Sequence, residues 1–496
     1  MERMLIRAAS LLADPEAGTI SQPGAVLVED GVVRAVGESA LREEQELECL
    51  DLGDAVLMPG LVNAHQHGRG LSQLLLGYPD DHLEPWIARR HARGAPDPYA
   101  LTRLAAANML RNGVTATVHA NYSYGSGDYA AEARAALRAY IDAGLRVTFC
   151  VGAMNRGFMT YPGQDEAGLL AGLPDIARAR LSAPRKNPYA GDAAATIALM
   201  RELQAEFGSH PLVTLAYGPS GPQWVSDTLM AALAADALDR GLGLHLHLLE
   251  SPAQKAVAAN LYPEGCARHL KQLGALGPHV VLAHCVHVTP EDIALIADSA
   301  AVIVHNPGSN LRLANGRAPV ADMLDAGVAV ALGTDNCALL DDEDLFAELH
   351  LADGLMRLSG IAQIGADRAR RLLSMLTVNG GRACLSSVVT GRIEPGGQAD
   401  LIAVSTRRLL GAWCDSDTSL LEALAFRARG EDVMLTMVGG KVCQRDGQLT
   451  ALAIDLLDEA AAETAHKHRR AFGPGAAETA EALATALARL NRYRSV

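Results

Sequence analysis

Two histidines separated by a single residue are the first candidates for binding a metal in this 496-residue chain. His65 and His67 end the apolar run MPGLVNAHQH, and alternate side chains of a β-strand point to the same face, so both imidazoles can reach one ion. An isolated His-x-His pair is also consistent with two structural histidines. Further candidates end other apolar runs and favour a metal site: His247 and Glu250 in HLHLLE, His284 in LAHCVH, and Asp335 in LGTD.

The types of donor atom indicate which chemistry such a site would support. Three imidazoles from among these histidines and the Asp335 carboxylate would make a set of nitrogen and oxygen donors that suits Zn²⁺ or Fe²⁺, with water in the remaining position. A metal lowers the pKa of its bound water toward neutrality, so that hydroxide can attack an electrophilic carbon. Glu250 could carry protons in such a reaction, or it could cap the helix that begins in ESPAQKAV.

Eight apolar, strand-like runs alternate with helical stretches through the middle of the chain. The runs end at 67, 120, 153, 218, 248, 284, 305 and 335, and predicted helices include 99–112, 130–143, 227–240 and 290–297. This alternation is typical of parallel βαβ units. Eight such units predict an α/β protein with a (β/α)₈ TIM barrel, in which active sites gather at the C-terminal strand ends. All the candidates above lie at such ends.

Short strand-and-turn patterns occur at both ends of this barrel region. The segment AVLVEDGVVRAVG contains Asp30-Gly31, a pair typical of a β-hairpin turn. The same pattern of short strands and turns recurs in GRIEPGGQADLIAV and VMLTMVGGKVCQRDGQL. We therefore predict a small discontinuous β-sandwich domain from residues 1–57 and 385–450, enclosing a barrel domain at 58–384. Residues 451–496 are rich in Ala and Glu and predict two surface helices, on which His466 and His468 face solvent.

Composition and charge restrict the class of partner. The chain has 43 Lys and Arg against 57 Asp and Glu, a net charge of -14, which argues against nucleic acid or an anionic membrane as the partner. It contains no apolar run long enough to span a membrane and no signal-peptide core. Its eight cysteines form no Cys-x-x-Cys pair, as in reduced cytosolic proteins. We expect a cytoplasmic protein that acts on a small molecule.

Several motifs together give the chain a family resemblance over nearly its whole length. It resembles the amidohydrolase superfamily, and within it the cytosine-deaminase-like branch that includes S-adenosylhomocysteine and methylthioadenosine deaminases and the triazine hydrolases. The motifs that carry the resemblance are PGLVNAHQH, HLHLLE, LAHCVH, VHNPGSNLRL, GTDN and GRIEPGGQADLIAV. It implies one divalent metal per chain, Zn²⁺ or alternatively Fe²⁺, bound by His65, His67, His247 and Asp335. It also implies a homo-oligomer.

The resemblance further implies catalytic roles for three residues. Glu250 would shuttle protons, His284 would assist at the metal-bound water, and Asp335 would accept a proton from that water. His245 shares a strand face with His247 and could itself be the ligand. The His-x-x-Glu spacing and the position nearer the strand end favour His247.

A single metal is expected because the fourth strand end offers no bridging group. Relatives with two metals usually join them there through a modified lysine or a carboxylate. This chain instead has Tyr217-Gly218-Pro219-Ser220 at that strand end, and no lysine occurs from residue 187 to 254.

Five further residues are candidates for binding the substrate. Asn306, Ser309 and Asn310 in HNPGSN could offer polar groups to a heterocycle, although the same residues make an ordinary turn. Trp86, after the first strand, could form an aromatic wall of the pocket or pack on the barrel rim. His119 lies at the end of the second strand.

These observations predict a metal-dependent hydrolase that deaminates a nitrogen heterocycle. Nucleoside deaminases of the branch usually carry a motif like Pro-His-Ala-Pro-Tyr after strand four, where this chain has GPSGPQW, which argues against an adenosine-like substrate. One alternative is hydrolysis of another leaving group, such as chloride, or of a cyclic amide. Another is a non-catalytic scaffold, although such relatives typically lose metal ligands and none is missing here.

Overall fold

A computed structural model describes most of the chain. It covers residues 3–43, 47–72, 74–77, 79–91, 97–183, 187–335, 341–358, 365–388, 390–471 and 475–493. Cys337, which is one of the eight cysteines counted above, and the side chain of His468 lie outside the described part.

The chain begins with short strands. They are β1 (Arg3–Ala8), β2 (Ser10–Leu12), β3 (Ile20–Ser21), β4 (Gly24–Glu29), β5 (Val32–Val36), β6 (Glu48–Asp51) and β7 (Ala55–Pro59). Asp30 and Gly31 connect the antiparallel strands β4 and β5 with φ angles of 48° and 82°, the positive values that a tight hairpin turn requires. The predicted hairpin is therefore confirmed. Four of these strands form a sheet in the order β5-β4-β1-β6.

The next strands form the barrel sheet. They are β8 (Leu61–Gln66), β9 (Val114–Ala120), β10 (Arg146–Ala153), β11 (Val213–Pro219), β12 (Gly243–Leu248), β13 (Val280–His284), β14 (Val302–His305) and β15 (Val330–Leu332). Each runs parallel to the next one in the chain, and nearly all their residues are buried, as expected when helices cover the outer face. The first and last strands approach where the Asp335 amide donates to the His65 carbonyl at 2.9 Å. The predicted (β/α)₈ fold is confirmed.

The last strands return to the N-terminal part of the chain. They are β16 (Leu401–Ser405), β17 (Val433–Val438), β18 (Lys441–Arg445) and β19 (Gln448–Leu449), and they join a sheet in the order β19-β18-β17-β16-β7-β2-β3. Leu57 and Leu401 of this sheet share an apolar core with Ile6 and Val26 of the four-stranded sheet. Residues from both chain ends thus pair as expected, while the division into three domains stays a prediction.

Helices connect the barrel strands and cover them. The described helices are α1 (Glu38–Leu41), α2 (Leu83–His91), α3 (Pro98–Arg111), α4 (Tyr129–Ala143), α5 (Glu166–Ala171), α6 (Asp175–Leu181), α7 (Ala193–Phe207), α8 (Asp227–Arg240), α9 (Pro252–Leu261), α10 (Cys266–Gln272), α11 (Pro290–Ser299), α12 (Pro307–Arg312), α13 (Val320–Asp325), α14 (Leu345–Arg357), α15 (Ala366–Leu376), α16 (Val378–Ala383), α17 (Thr406–Leu410), α18 (Leu420–Arg427), α19 (Ile454–Ala471) and α20 (Ala476–Leu490), with a 3₁₀ turn at Gly430–Asp432. Thr289 caps α11 through a reciprocal hydrogen-bond pair with Asp292. None of the described helices is long and apolar enough to cross a membrane.

The two C-terminal helices differ in how much of each is buried. His466 of α19 is exposed, as predicted. Helix α20 is not purely a surface helix, because Ala480, Leu483, Ala484 and Leu487 are buried. These residues recur at the three- and four-residue spacing of one helical face, and that face packs with Ala88 of α2 in one apolar cluster.

One buried ion pair joins the barrel to the sheet formed by the chain ends. The Arg146 guanidinium at the start of β10 contacts the Asp400 carboxylate at 2.7 and 3.0 Å. Arg146 also donates to the Pro211 carbonyl at 2.7 Å, and Asp400 accepts from the Gly439 amide at 2.7 Å. Both charges are therefore paired and further hydrogen-bonded, which is what burial of an ion pair requires.

Candidate active site

Side chains from four barrel strands meet at the C-terminal end of the barrel. The group contains all the metal-binding and catalytic residues predicted from the sequence: His65 in β8 and His67 directly after it, His247 in β12, Glu250 two residues beyond that strand, His284 at the end of β13, and Asp335 after β15. All six are buried. The register of the parallel strands therefore brings together residues up to 270 positions apart in the chain.

Distances around the Asp335 carboxylate define the centre of this cluster. Its Oδ1 lies 2.9 Å from His67 Nε2 and 3.6 Å from His65 Nε2. Its Oδ2 lies 3.7 Å from His284 Nε2, which is in turn 3.8 Å from Glu250 Oε2. Imidazole nitrogens and carboxylate oxygens therefore face a common point.

The donor atoms fit a divalent metal. Three overlapping groups each have their ligand atoms within 4.8 Å of one another: His65, His247 and His284; His65, His67 and Asp335; Glu250, His284 and Asp335. Among the described residues, Nε2 of His65 and of His284 are buried without a hydrogen-bond partner. Such atoms are costly to leave unpaired, and coordination of an ion would satisfy them.

Burial keeps these imidazoles in the form that binds metals. It lowers the pKa of His65 to about 4 and the pKa of His247 well below its ordinary value. Both rings are therefore neutral at neutral pH, and a neutral imidazole has a nitrogen lone pair available for a metal.

Hydrogen bonds behind the rings fix their orientation. His67 Nδ1 donates to the Ala120 carbonyl at 2.5 Å, and His247 Nδ1 donates to the Ser220 carbonyl at 2.9 Å, which leaves both Nε2 atoms facing the cluster. His65 Nδ1 lies 3.2 Å from His245 Nε2. His245 thus lies one layer deeper in the barrel, as the sequence indicates, where it supports a candidate ligand as outer partners of metal sites commonly do.

The backbone turns sharply where the functional side chains begin. Leu249, His284 and Asp335 have φ angles of 48°, 71° and 56°. Positive φ is uncommon for residues with a side chain and concentrates at functional sites. Ser309 Oγ donates to Asp335 Oδ2 at 2.7 Å. Burial would raise the pKa of Asp335, but the His65 and His67 imidazoles beside it hold this pKa well below its usual range.

Glu250 lies at the boundary between the cluster and a cavity. Its Oε1 accepts a hydrogen bond from Asn315 Nδ2 at 3.0 Å. Burial raises the pKa of Glu250 to about 7, so both protonation states are accessible near neutral pH, which suits general acid and base work. The cap of α9 is Ser251, whose Oγ accepts from the Gln254 amide at 3.1 Å.

A cavity of about 1210 Å³ opens onto the cluster. The inner end of the cavity is lined by His67, His247, Glu250 and Asp335. Trp86 lies on the cavity wall, which agrees with the first of the two interpretations given for it above. The other four predicted substrate-binding residues are not among the residues that line this cavity: His119, Asn306, Ser309 and Asn310.

Those four residues lie behind the cluster instead. Asn310 Oδ1 accepts from His284 Nδ1 at 2.9 Å, and Ser309 holds Asp335. Asn306 Nδ2 lies 3.4 Å from His284 Nδ1. His119 is enclosed by aromatic rings and has a pKa that burial lowers well below its ordinary value. The hydrogen bonds of Asn310 and Ser309 thus orient His284 and Asp335.

Two residues near the cluster were not singled out from the sequence. The Tyr122 ring stacks on His67 with centroids 4.4 Å apart, and its hydroxyl lies 3.1 Å from His247 Nε2. Its position two residues after β9 is a signal that could have identified it, because barrel sites use such loops. Asn315 lies 65 residues from Glu250 in the chain, and no local pattern marks it.

The buried carboxyl group of Glu343 lies beside this cluster and should make the stability of the fold depend on pH. It accepts from Thr334 and from Asn63 Nδ2, and burial raises its pKa to about 8. The unfolded chain loses this proton near the ordinary value of 4.5. The folded protein keeps it up to about pH 8, so its contribution to stability is present at low pH and is lost as the pH rises through this window.

Glu343→Gln should therefore flatten the pH dependence of the free energy of unfolding. Between pH 5 and 8 the parent should lose up to about 1.4 kcal/mol per pH unit relative to the variant, measured by urea unfolding. Glu48→Gln, at an exposed strand position, is the control. Parallel curves for parent and Glu343→Gln would contradict the raised pKa.

Comparisons with known proteins place this cluster in a family. A model of the amidohydrolase family matches residues 56–443. A 5'-deoxyadenosine deaminase of Methanosarcina mazei is 31% identical over 459 residues, covering 91% of this chain and 95% of that protein. A 5-methylthioadenosine/S-adenosylhomocysteine deaminase of Nitratidesulfovibrio vulgaris is 32% identical over 455 residues, covering 90% and 93%.

Solved structures agree with these relatives. An adenosine deaminase from Xanthomonas campestris with bound zinc has a TM-score of 0.77 at 25% identity, covering 94% of this chain and 98% of that one. A triazine hydrolase from Arthrobacter aurescens has a TM-score of 0.77 at 22% identity, covering 94% and 100%, and supports the fold alone.

The family match extends over well more than half of the chain. It confirms the resemblance inferred from the motifs, and with the named relatives it confirms the expected hydrolase acting on carbon–nitrogen bonds other than peptide bonds. The chain belongs to the amidohydrolase family.

Proposed function

We propose that this protein is a metal-dependent aminohydrolase that deaminates a nitrogen heterocycle. The observation that carries the proposal is the position of Glu250, which is buried between the histidine cluster and the cavity and hydrogen-bonded to Asn315. An amine leaves a ring carbon readily only when it is protonated, so a carboxyl group that can donate a proton there favours this leaving group.

One divalent metal would be held by His65, His67, His247 and Asp335. When bound, it supplies a Lewis acid that makes water a nucleophile at neutral pH. The neutral imidazoles and the ionised carboxylate described above support this ligand set. We propose zinc as the metal, supported by the similar adenosine deaminase that contains zinc, with iron as the alternative.

The remaining steps use side chains of this chain. Asp335, held ionised by its histidine neighbours, accepts the proton of the attacking water. Glu250 donates its proton to a ring nitrogen. It then relays the proton held by Asp335 to the departing amine, and the hydroxyl proton of the adduct restores protonated Glu250. His284, whose Nδ1 donates to Asn310, directs the lone pair of its Nε2 toward the position of the attacking water and accepts a hydrogen bond that orients this water.

The walls of the inner cavity suit a flat ring. Trp86, Tyr122 and Trp224 line it, and the indole ring of Trp224 lies edge-on to His247 with centroids 6.3 Å apart. Aromatic side chains with few polar groups commonly bind planar heterocycles. The similar relatives carry the names of deaminases for 5'-deoxyadenosine and 5-methylthioadenosine, which supports a purine-like ring as one class to test.

Ammonia release is the direct test. Purified, metal-loaded protein should release ammonia from at least one purine, pterin, pyrimidine or aminotriazine, detected by a coupled glutamate dehydrogenase assay. Asp335→Asn is the control for contaminating activity. Release of chloride from a chlorotriazine or opening of a cyclic amide, without ammonia from any amino heterocycle, would contradict the deaminase proposal.

The proposal also covers the location of the protein in the cell and its assembly. The free cysteines among the described residues and the acidic charge are consistent with a cytoplasmic protein. The family resemblance supports a homo-oligomer, which light scattering at micromolar concentration would test.

A further inference from the structure

The cavity is larger than the proposed reaction needs. Pockets that bury drug-sized ligands enclose roughly 300–1,000 Å³, whereas this cavity measures about 1210 Å³. A heterocycle placed against His67, His247 and Glu250 would fill only its inner end. The outer part of the cavity would then contain either water or another part of the ligand.

The outer part has apolar walls from two segments that are distant in sequence. Leu170 of α5 and Leu181 of α6 form one side, and Ala480, Leu483 and Leu487 of α20 form the other. The C-terminal helix is therefore part of the wall of the same cavity onto which the catalytic cluster opens.

Specific contacts hold α20 against the barrel. The Arg89 guanidinium binds the Glu481 carboxylate at 2.8 and 2.9 Å. The Gln164 side-chain amide donates to Asn491 Oδ1 at 2.8 Å. The Tyr493 ring stacks on His82 with centroids 3.8 Å apart. The wall is thus fixed in place at both ends of the helix.

The acidic groups on the cavity wall are already satisfied by the protein. Glu84 accepts hydrogen bonds from three hydroxyl groups: Tyr161 at 2.9 Å, Ser251 at 2.5 Å and Tyr493. Glu166 accepts from Thr160 at 2.8 Å. These carboxylates are therefore engaged in structural contacts, and Leu170, Leu181, Leu483 and Leu487 supply the aliphatic surface of the outer wall.

We propose that α20, through Leu483 and Leu487, forms a binding subsite for an apolar alkyl or aryl substituent carried by the heterocyclic substrate. The assignment of that substituent to a substrate rests on the proposed function. The subsite itself rests on the shape and residue types of the cavity. Burial of one methylene group strengthens binding about fourfold, so a substituent of four carbons is expected to improve recognition by at least tenfold over a methyl group.

The subsite can be tested without turnover. N-phenyl-1-naphthylamine is an uncharged apolar probe whose fluorescence rises when it is buried. The full-length protein, with and without zinc, should bind it at one site per chain, and 1-octanol should displace it at concentrations at least tenfold lower than 1-hexanol, because two methylenes separate them.

Matched variants locate the probe. Leu483→Asn should weaken probe binding about tenfold. Leu457→Asn is the control, because Leu457 of α19 is equally buried but packs on the barrel core instead of lining the cavity. Ala480→Met fills the subsite with a flexible side chain and should also weaken binding, which covers the case in which Leu483→Asn fails to fold.

The outcomes separate the subsite from the proposed chemistry. Absence of probe binding, or equal binding by the parent and by each folded α20 variant, would overturn the subsite. If no heterocycle releases ammonia while the probe binds and the α20 variants weaken it, the proposed function fails and the apolar subsite stands.

The link to substrate is tested on whichever heterocycle releases ammonia. Adding a butyl group in place of a methyl group should raise kcat/KM at least tenfold for the parent and for Leu457→Asn, but not for Leu483→Asn or Ala480→Met. Equal kcat/KM values for the two compounds in the parent would overturn the assignment of the subsite to a substrate substituent.

Discussion

Glu250→Gln is expected to lower kcat by about 10²- to 10⁴-fold while the metal content stays unchanged. Glutamine keeps the size of the side chain and can still accept the hydrogen bond from Asn315, but it cannot transfer a proton. One residue would both protonate the ring and release the amine, so the loss should lie toward the upper end of this range.

Metal content is the decisive companion measurement, because the geometry allows a second role. Glu250, His284 and Asp335 also form a group whose donor atoms lie close enough to share an ion. If Glu250→Gln lost the metal, Glu250 would be a ligand and not a proton carrier. Glu264→Gln, on the exposed segment that follows α9, is the control and should keep both metal and turnover.

The pH profile gives an independent check on the same residue. Burial raises the pKa of Glu250 to about 7, so the proton-donating form predominates below that pH and is lost above it. The parent should therefore lose turnover on the alkaline side of neutrality, and the residual activity of Glu250→Gln should lack that dependence.

His247→Ala should produce the second large effect, loss of the metal. The parent should contain about one zinc or iron per chain by elemental analysis, because the proposed ligands belong to overlapping groups of donor atoms and the described residues show no separate group. Mutation of a residue that only hydrogen-bonds to a metal ligand lowers the metal affinity about 10- to 100-fold. Removal of a ligand itself should therefore lower the metal affinity at least about 100-fold.

Two other histidines calibrate this result. His245→Ala should lower the metal affinity by about 10- to 100-fold, because it removes the partner of His65 Nδ1. His466→Ala, at an exposed position of α19, should change nothing. Two tightly held metals per parent chain, or full metal content in His247→Ala, would refute the proposed mononuclear site.

The barrel could be predicted from sequence because its strands are buried on both faces. Such strands read as continuous apolar runs, and the predicted segments 146–153 and 227–240 coincide with β10 and α8. The last strand is shorter than its apolar run, since only Val330–Leu332 pair, and the residues up to Asp335 already turn into the site.

The candidate metal ligands were also within reach of the sequence. Chemistry in this fold gathers at the C-terminal ends of strands, so His67, His247 and Asp335 were marked jointly by residue type and by position at the end of an apolar run. A local pattern and one rule of the fold were sufficient, because parallel strands bring all their C-terminal ends to one edge.

Tertiary structure alone decided what lines the cavity and what lies behind it. Asn310 and Trp86 are equally plausible pocket residues in the sequence, yet Asn310 holds His284 while Trp86 faces the cavity. Whether the side chain of a loop residue faces the cavity depends on backbone turns, and no local sequence pattern specifies those turns.

The part of the cavity wall formed by α20 also depends on contacts between segments that are distant in sequence. Tyr493 reaches Glu84 across 409 positions of sequence, and Leu483 faces the same cavity as His247. An amphipathic pattern in α20 indicates that one helical face is buried but not against what. The sequence determined the barrel and the chemistry at its strand ends because both depend on local periodicity and residue type. The size and apolar character of the cavity depended on packing between distant segments, which only the folded chain brings together.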